Sequence, residues 1–315
     1  MIRRLGLLVL ALGAGCGDDD GMRAPDAGGG VPDSAVPDSA VPDGGLDAGA
    51  ARTLTLSFDG LPSLGDGFVY EGWLIVDDAP VSSGRFVVDE SGALDPATFS
   101  VAADDADGAS MFVLTIEPAV GDDPAPAATH VVAGAIAAGS ATLSIDHPAA
   151  LGDDFTAAAG TFILATPTSA SMEDDQNGLW FLAMPGPRPS LELPTLPDGW
   201  VYEGWVVDVS GDAPVPTSTG RFRALDAADS DGAGPTAGPQ PAPPFPGQDF
   251  IDPARDLTMN HMAVISIEPD PDDSPAPFRL KPLATAIGAS VGGANPQTLN
   301  NVIGDNAIRG TLRLD

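Results

Sequence analysis

Polar and apolar residues alternate along TLTLSF, Thr53 to Phe58, which puts Leu54, Leu56 and Phe58 on one face of an extended strand. The same period of two places Phe112, Leu114 and Ile116 on one side of MFVLTIEP, and Ala263, Ile265 and Ile267 on one side of MAVISIEP. FVYEGWLIV, from Phe68, is too apolar to alternate. Its β-branched and aromatic residues predict a central strand covered on both faces. Pro118 and Pro269 end their strands, and the stretches between strands are rich in Gly, Pro and Asp. No amphipathic helix longer than two turns is predicted. Short strands separated by turn signals make the expected fold all-β, built as antiparallel β-sandwiches.

The pattern occurs twice. VYEGW stands at Val69 to Trp73 and again at Val201 to Trp205, an offset of 201 − 69 = 132 positions. Its neighbours recur in order: SGRF at Ser83 and TGRF at Thr219, the two IEP strands, and DDPAPA at Asp122 and DDSPAPF at Asp272. LGDDFTAAAGTFIL, Leu151 to Leu164, resembles IGDNAIRGTLRL, Ile303 to Leu314. The repeated unit is about one domain long. Two tandem sandwiches are therefore expected at residues 52–165 and 178–315, each able to fold alone. A linker at 166–177 should be the first site of proteolysis.

Composition adds compartment and partners. The formal charge is −32, from 45 acidic and 13 basic residues, which repels nucleic acid and anionic headgroups. MIRRLGLLVLALGAGC has a basic start and a short apolar run, and residues 1–15 resemble a lipoprotein signal peptide that delivers Cys16 for acylation. Cys16 is the single cysteine, so no disulfide forms within the chain. Residues 16–51, with VPDSAVPDSAVPDGG, read as a disordered tether. These features point to a lipoprotein anchored in a bacterial envelope on the extracytoplasmic side, with the membrane and an envelope protein as partners.

Little in the sequence suggests catalysis, a cofactor or a resident metal. GASVG, Gly288 to Gly292, matches the nucleophile-elbow pattern around Ser290, but no helix pattern follows it. His130, His147 and His261 lack zinc-site spacing. DADG at Asp105 and DSDG at Asp229 fail the calcium-loop pattern at its first and twelfth positions and read as acidic turns. Glu71 and Glu203 are different, because each is a carboxylate inside an apolar strand and needs a partner if buried. The separations to Arg85 and Arg221, 85 − 71 = 14 and 221 − 203 = 18, differ by an even number, so cross-strand pairing serves both. Ligand recognition is the second reading for these four residues. Trp73 and Trp205 read first as core anchors and second as binding platforms.

Together these residues resemble a known family. A Leu-Pro element (Leu61, Pro62; Leu193, Pro194) precedes Tyr-x-x-Trp (Tyr70, Trp73; Tyr202, Trp205). A Gly-x-Phe strand follows (Gly84, Phe86; Gly220, Phe222), then a strand ending in Glu-Pro (Glu117, Pro118; Glu268, Pro269) with a Pro-rich sequel. This is similar to the extracytoplasmic C-terminal domain of anti-sigma-K factors, present twice. The family's sigma-binding region and transmembrane helix are not matched. The resemblance implies a non-catalytic binding or sensing module in envelope signalling, with a structural or adhesive surface lipoprotein as the alternative and a serine hydrolase using Ser290 as a minor one.

Overall fold

The computed structural model describes residues 50–171, 173–272 and 274–315; Cys16, the signal segment and nearly all of the tether lie outside the described residues. The described chain is nearly all β. In its first part the strands are β1 (Ala51–Asp59), β2 (Phe68–Val76), β3 (Ala79–Val88), β4 (Leu94–Asp95), β5 (Thr98–Ala102), β6 (Ala109–Pro118), β7 (His130–Ala135), β8 (Ser140–Ser144) and β9 (Ala159–Leu164). The second part contributes β10 (Gly178–Trp180), β11 (Leu182–Ala183), β12 (Arg188–Pro189), β13 (Leu191–Glu192), β14 (Trp200–Asp208), β15 (Val215–Phe222), β16 (Gly247–Asp249), β17 (His261–Pro269), β18 (Leu283–Ala286), β19 (Gln297–Asn301) and β20 (Arg309–Leu314). Two short helices interrupt them, α1 (Ala103–Gly108) and α2 (Ile303–Asn306). DADG, expected as a turn, lies within α1, where Asp107 meets Arg52 at 2.8 Å.

Two large antiparallel sheets carry the fold. One runs β4-β3-β2-β6-β7-β8-β20-β1-β5, the other β15-β14-β17-β18-β19-β9-β10-β16, with β13 beside β9. From β3 and β15 onward the order is the same in both, position by position, with β4 an extra edge strand of the first, but the last strand of each half has crossed over. β20, from the end of the chain, fills the slot between β8 and β1, and β9, from the first half, fills the slot between β19 and β10. The registers correspond as well: Leu54 pairs with Leu314 and Leu179 with Leu164, while Gly310 pairs with Leu143 and Gly160 with Leu299. Gly310 is required by this packing, since an added Cβ would lie 2.4 Å from the Phe58 ring.

The exchange corrects the expected division at 165/178. Residues 47–315 form one compact unit, because neither sheet is complete without a strand from the other half of the chain. The segment expected to be an open linker is packed as well. Thr166 and Thr168 are buried; Thr168 donates through its backbone N–H to Asp249 at 2.9 Å, and Thr166 Oγ1 donates to Asp174 at 2.8 Å. Short hydroxyl side chains here help satisfy the carboxylates of Asp174 and the fully buried Asp249, which also accepts Trp180 Nε1 at 2.7 Å.

Each sheet rolls on itself. Phe86 of β3 stacks 6.1 Å from Phe58 of β1 and lies 6.0 Å from Phe99 of β5, although these strands stand at opposite ends of the sheet order. In the second sheet, Asp229 sits against Gly220 of β15 and accepts the Gly247 N–H of β16 at 2.8 Å, joining the two edges. Leu54, Leu56, Phe112, Leu114 and Ile116 face inward as the alternation requires, and the apolar core continues through Phe162, Leu179, Ile265 and Ile267 of the second sheet. At about 25 cal/mol per Å2 of apolar area, burying side chains of this size is the main force holding the rolled sheets together.

Candidate functional site

VYEGW lies on an interior strand of each sheet, β2 between β3 and β6, and β14 between β15 and β17. Tyr70 and Tyr202 face the core, stack on Phe86 and Phe222, and donate their hydroxyls to the carbonyls of Pro62 and Pro194 at 2.9 and 2.8 Å. The recurring Leu-Pro element therefore supplies a fixed acceptor to a buried phenol. Burial pushes both phenols above their ordinary range. The glycines leave room for a neighbouring hydroxyl, because a Cβ on Gly72 would lie 2.6 Å from Ser83 Oγ and one on Gly204 would lie 2.4 Å from Thr219 Oγ1. Each strand pair is irregular at this point, between Gly72 and Trp73 and between Glu203 and Trp205.

The glutamates and tryptophans point to the other face, where they belong to one connected polar network per sheet. Glu71 is the direct cross-strand partner of Arg85, and Glu203 of Arg221. Arg85 Nε lies 3.5 Å from Glu71, and Arg221 Nε donates to Glu203 at 2.9 Å. Each arginine reaches a second carboxylate, Asp122 at 3.6 Å and Asp272 at 2.9 Å. Ser82 and Ser218 donate to the same glutamates. Burial lowers the Arg221 pKa, but Glu203 and Asp272 outweigh it, so the guanidinium is held above its usual range. The tryptophans donate to hydroxyls on the adjacent strand, Trp73 Nε1 to Thr115 at 2.9 Å and Trp205 Nε1 to Ser266 at 2.7 Å. Those hydroxyls donate onward to Glu117 and Glu268.

Glu117 and Glu268 are the innermost members, at 1% and 0% exposure. Each turns its carboxylate back onto the Pro-rich loop that follows, accepting the Ala127 N–H at 2.8 Å and the Phe278 N–H at 2.9 Å. Burial raises both carboxyls, Glu268 to about 7, with Glu203 and Asp272 adding to the effect. In the sequence these two acids stand only in the Glu-Pro pattern, with no partner assigned to them and none to Thr115 or Ser266. The signal was present in the matching TIEP and SIEP, a hydroxyl two residues before a carboxylate on the same strand face.

The other candidates lie elsewhere. Ser290 is exposed in the connection between β18 and β19, and no helix follows it. Its carbonyl accepts Gln297 Nε2 at 3.0 Å, so this is a surface loop and not a strand-to-helix elbow. His130 and His147 bond locally to the backbone of Ala149. His261 is buried at the start of β17. Among the described residues no cluster of His, Cys, Asp and Glu is arranged to hold a metal ion, and no helix is long and apolar enough to cross a membrane.

What the network does chemically is fix a loop to a sheet. Its hydrogen bonds end on backbone N–H groups of the Pro-rich loops, and its ion pairs hold the β2–β3 and β14–β15 edges. No curated protein and no solved structure matches the chain. Residues 42–132, which run from before β1 into β7 and carry the first of these networks, match the family model described as Anti-sigma-K factor rskA, C-terminal.

Proposed function

We propose that the protein is a non-catalytic envelope lipoprotein, whose folded part carries two tandem copies of the anti-sigma-K outer domain and serves as a binding or sensing module. The family match at residues 42–132 carries this reading, and the same residues recurring in the second half extend it. The networks support it: Glu71, Glu203, Glu117 and Glu268 are engaged with arginines, hydroxyls and backbone N–H groups, which suits a rigid scaffold. The charge of −32 disfavours direct contact with anionic headgroups, so attachment is assigned to a lipid on Cys16, with residues 16–51 holding the domains clear of the membrane on its extracytoplasmic side.

Two measurements test the reading. Labelled fatty acid should enter the protein and Cys16→Ala should abolish it; label that persists in the variant removes the lipid anchor. Crosslinking in intact cells should capture an envelope protein, whereas capture of polysaccharide alone would favour a structural or adhesive role.

A further inference from the structure

A cleft opens between two loops, the Leu-Pro loop that leads into β2 and the Pro-rich loop that follows β17. Its apolar end encloses about 360 Å3 and is walled by Leu64, Phe68, Phe278 and prolines of both loops. Its polar end, about 540 Å3, lies beside Asp59 and the turn carrying Asp89 and Glu90. Arg279 lines both ends. Its terminal Nη2 donates to the Asp305 carbonyl at 2.8 Å, while its Nε is buried without an acceptor. An added Cβ on Gly60 would lie 3.3 Å from that Nε, so the guanidinium is packed against the backbone there and held in place between the two ends.

The corresponding place in the other half is closed. Phe68 corresponds to Trp200 by position before the two VYEGW tyrosines. Arg279 corresponds to Ala128, since each follows the residue whose N–H binds the buried glutamate. At the closed place, Gly199 packs so tightly that an added Cβ would lie 2.5 Å from the Ala128 carbonyl carbon, and Trp200 Nε1 donates to the His130 carbonyl at 3.2 Å. Exchanging a tryptophan for phenylalanine and an alanine for arginine thus accompanies an opened cavity with a cation at its centre.

We propose that this cleft binds an extended, basic, proline-containing peptide segment of a partner protein, an assignment that rests on the binding-module reading above. Asp59, Asp66, Asp89 and Glu90 around the single Arg279 favour a cationic ligand and repel an anionic one. The aromatic and proline walls suit apolar rings presented by an extended chain.

The test is fluorescence anisotropy of a labelled synthetic peptide of alternating arginine and proline, titrated with the whole protein. Saturable binding that weakens with added salt is expected. Phe68→Trp, which fills the apolar end as Trp200 does in the other half, should weaken it about tenfold or more. Glu90→Gln, which removes a carboxylate that lines both ends, should act in the same direction, and thermal melts of both variants show whether they remain folded. Unchanged affinity in a folded Phe68→Trp or Glu90→Gln protein overturns the proposal. So does equal binding of the peptide with glutamate in place of arginine, or equal competition by spermine. If a partner crosslinked in cells is still captured by both variants, the cleft assignment falls and the binding-module reading stands; if capture is lost in both, the cleft is its site.

Discussion

At the residue scale, one five-letter word performs the same four tasks in both halves: a phenol tied to a proline carbonyl, a carboxylate paired with an arginine, a glycine yielding space to a hydroxyl, and an indole feeding a buried acid. The two ion pairs differ in geometry, and that difference is testable. In a double-mutant cycle, Arg221→Met should cost about 2–3 kcal/mol, below the range for a fully buried pair because the arginine is partly exposed, and Glu203→Gln in the same chain should recover part of it. The Glu71–Arg85 cycle should show weaker coupling, since its closest approach is 3.5 Å against 2.9 Å. Equal coupling at both sites, or none, contradicts the geometry. Glu268 predicts a pH dependence. Its pKa of about 7 in the folded chain lies above the ordinary 4.5, so the folded state holds the proton more tightly. The associated stability is fully present at low pH and is lost as pH rises from about 4.5 through about 7, on the order of 3 kcal/mol. Denaturant unfolding across that window should show Glu268→Gln losing less stability with rising pH than the parent; parallel curves would refute the assignment. The Glu–Arg pairs were legible in the sequence because an even separation keeps two strand residues on one face. Glu117 and Glu268 were not, because each sits at the last position before a strand-ending proline and reads there as a terminus.

At the element scale, the strand faces follow from the alternation of side chains. Leu54 and Leu56 of β1 are buried between more exposed neighbours as the period of two requires, whereas β6 and β17 are covered on both faces, so Val113, Thr115, Val264 and Ser266 are buried along with Phe112, Leu114, Ala263 and Ile265. Which slot each strand fills was not legible. β9 and β20 carry the same Gly-Thr-apolar-x-Leu pattern, so either slot accepts either strand, and only the path of the preceding connection decides. The expected boundary at residues 165/178 failed for this reason, since it was drawn where the sequence pattern restarts and the chain does not separate there. Removing β20 should open the first sheet between β8 and β1 and expose Leu54 and Leu143, lowering the melting temperature by several degrees, as about 1 kcal/mol already moves it by roughly 2–4 °C in chains of this size. Adding a synthetic peptide of residues 303–315 should restore the melt, and the same peptide with Leu312→Asp should not. A truncated protein that melts like the parent would contradict the pairing.

At the scale of the whole molecule, exchange makes two similar halves into one cooperative body. Thermal unfolding of the folded part should be a single transition seen alike by tryptophan fluorescence and by far-ultraviolet dichroism. Proteolysis should leave residues 166–169 intact while the fold persists, since the hydroxyls of Thr166 and Ser169 and the backbone of Thr168 are engaged with Asp174 and Asp249. The arrangement also bears on binding, because the opened cleft joins a loop of one half to a loop of the other, and only an interlocked body holds both in place. The most direct test of this account is a pair of disulfide traps in a Cys16→Ser background. Ser57 pairs with Thr311 across β1 and β20, and Thr161 holds the place in β9 that Thr311 holds in β20. Oxidised monomer of Ser57→Cys with Thr311→Cys should crosslink nearly completely, and Ser57→Cys with Thr161→Cys should not; a monomeric crosslink between positions 57 and 161 would show that each half keeps its own last strand.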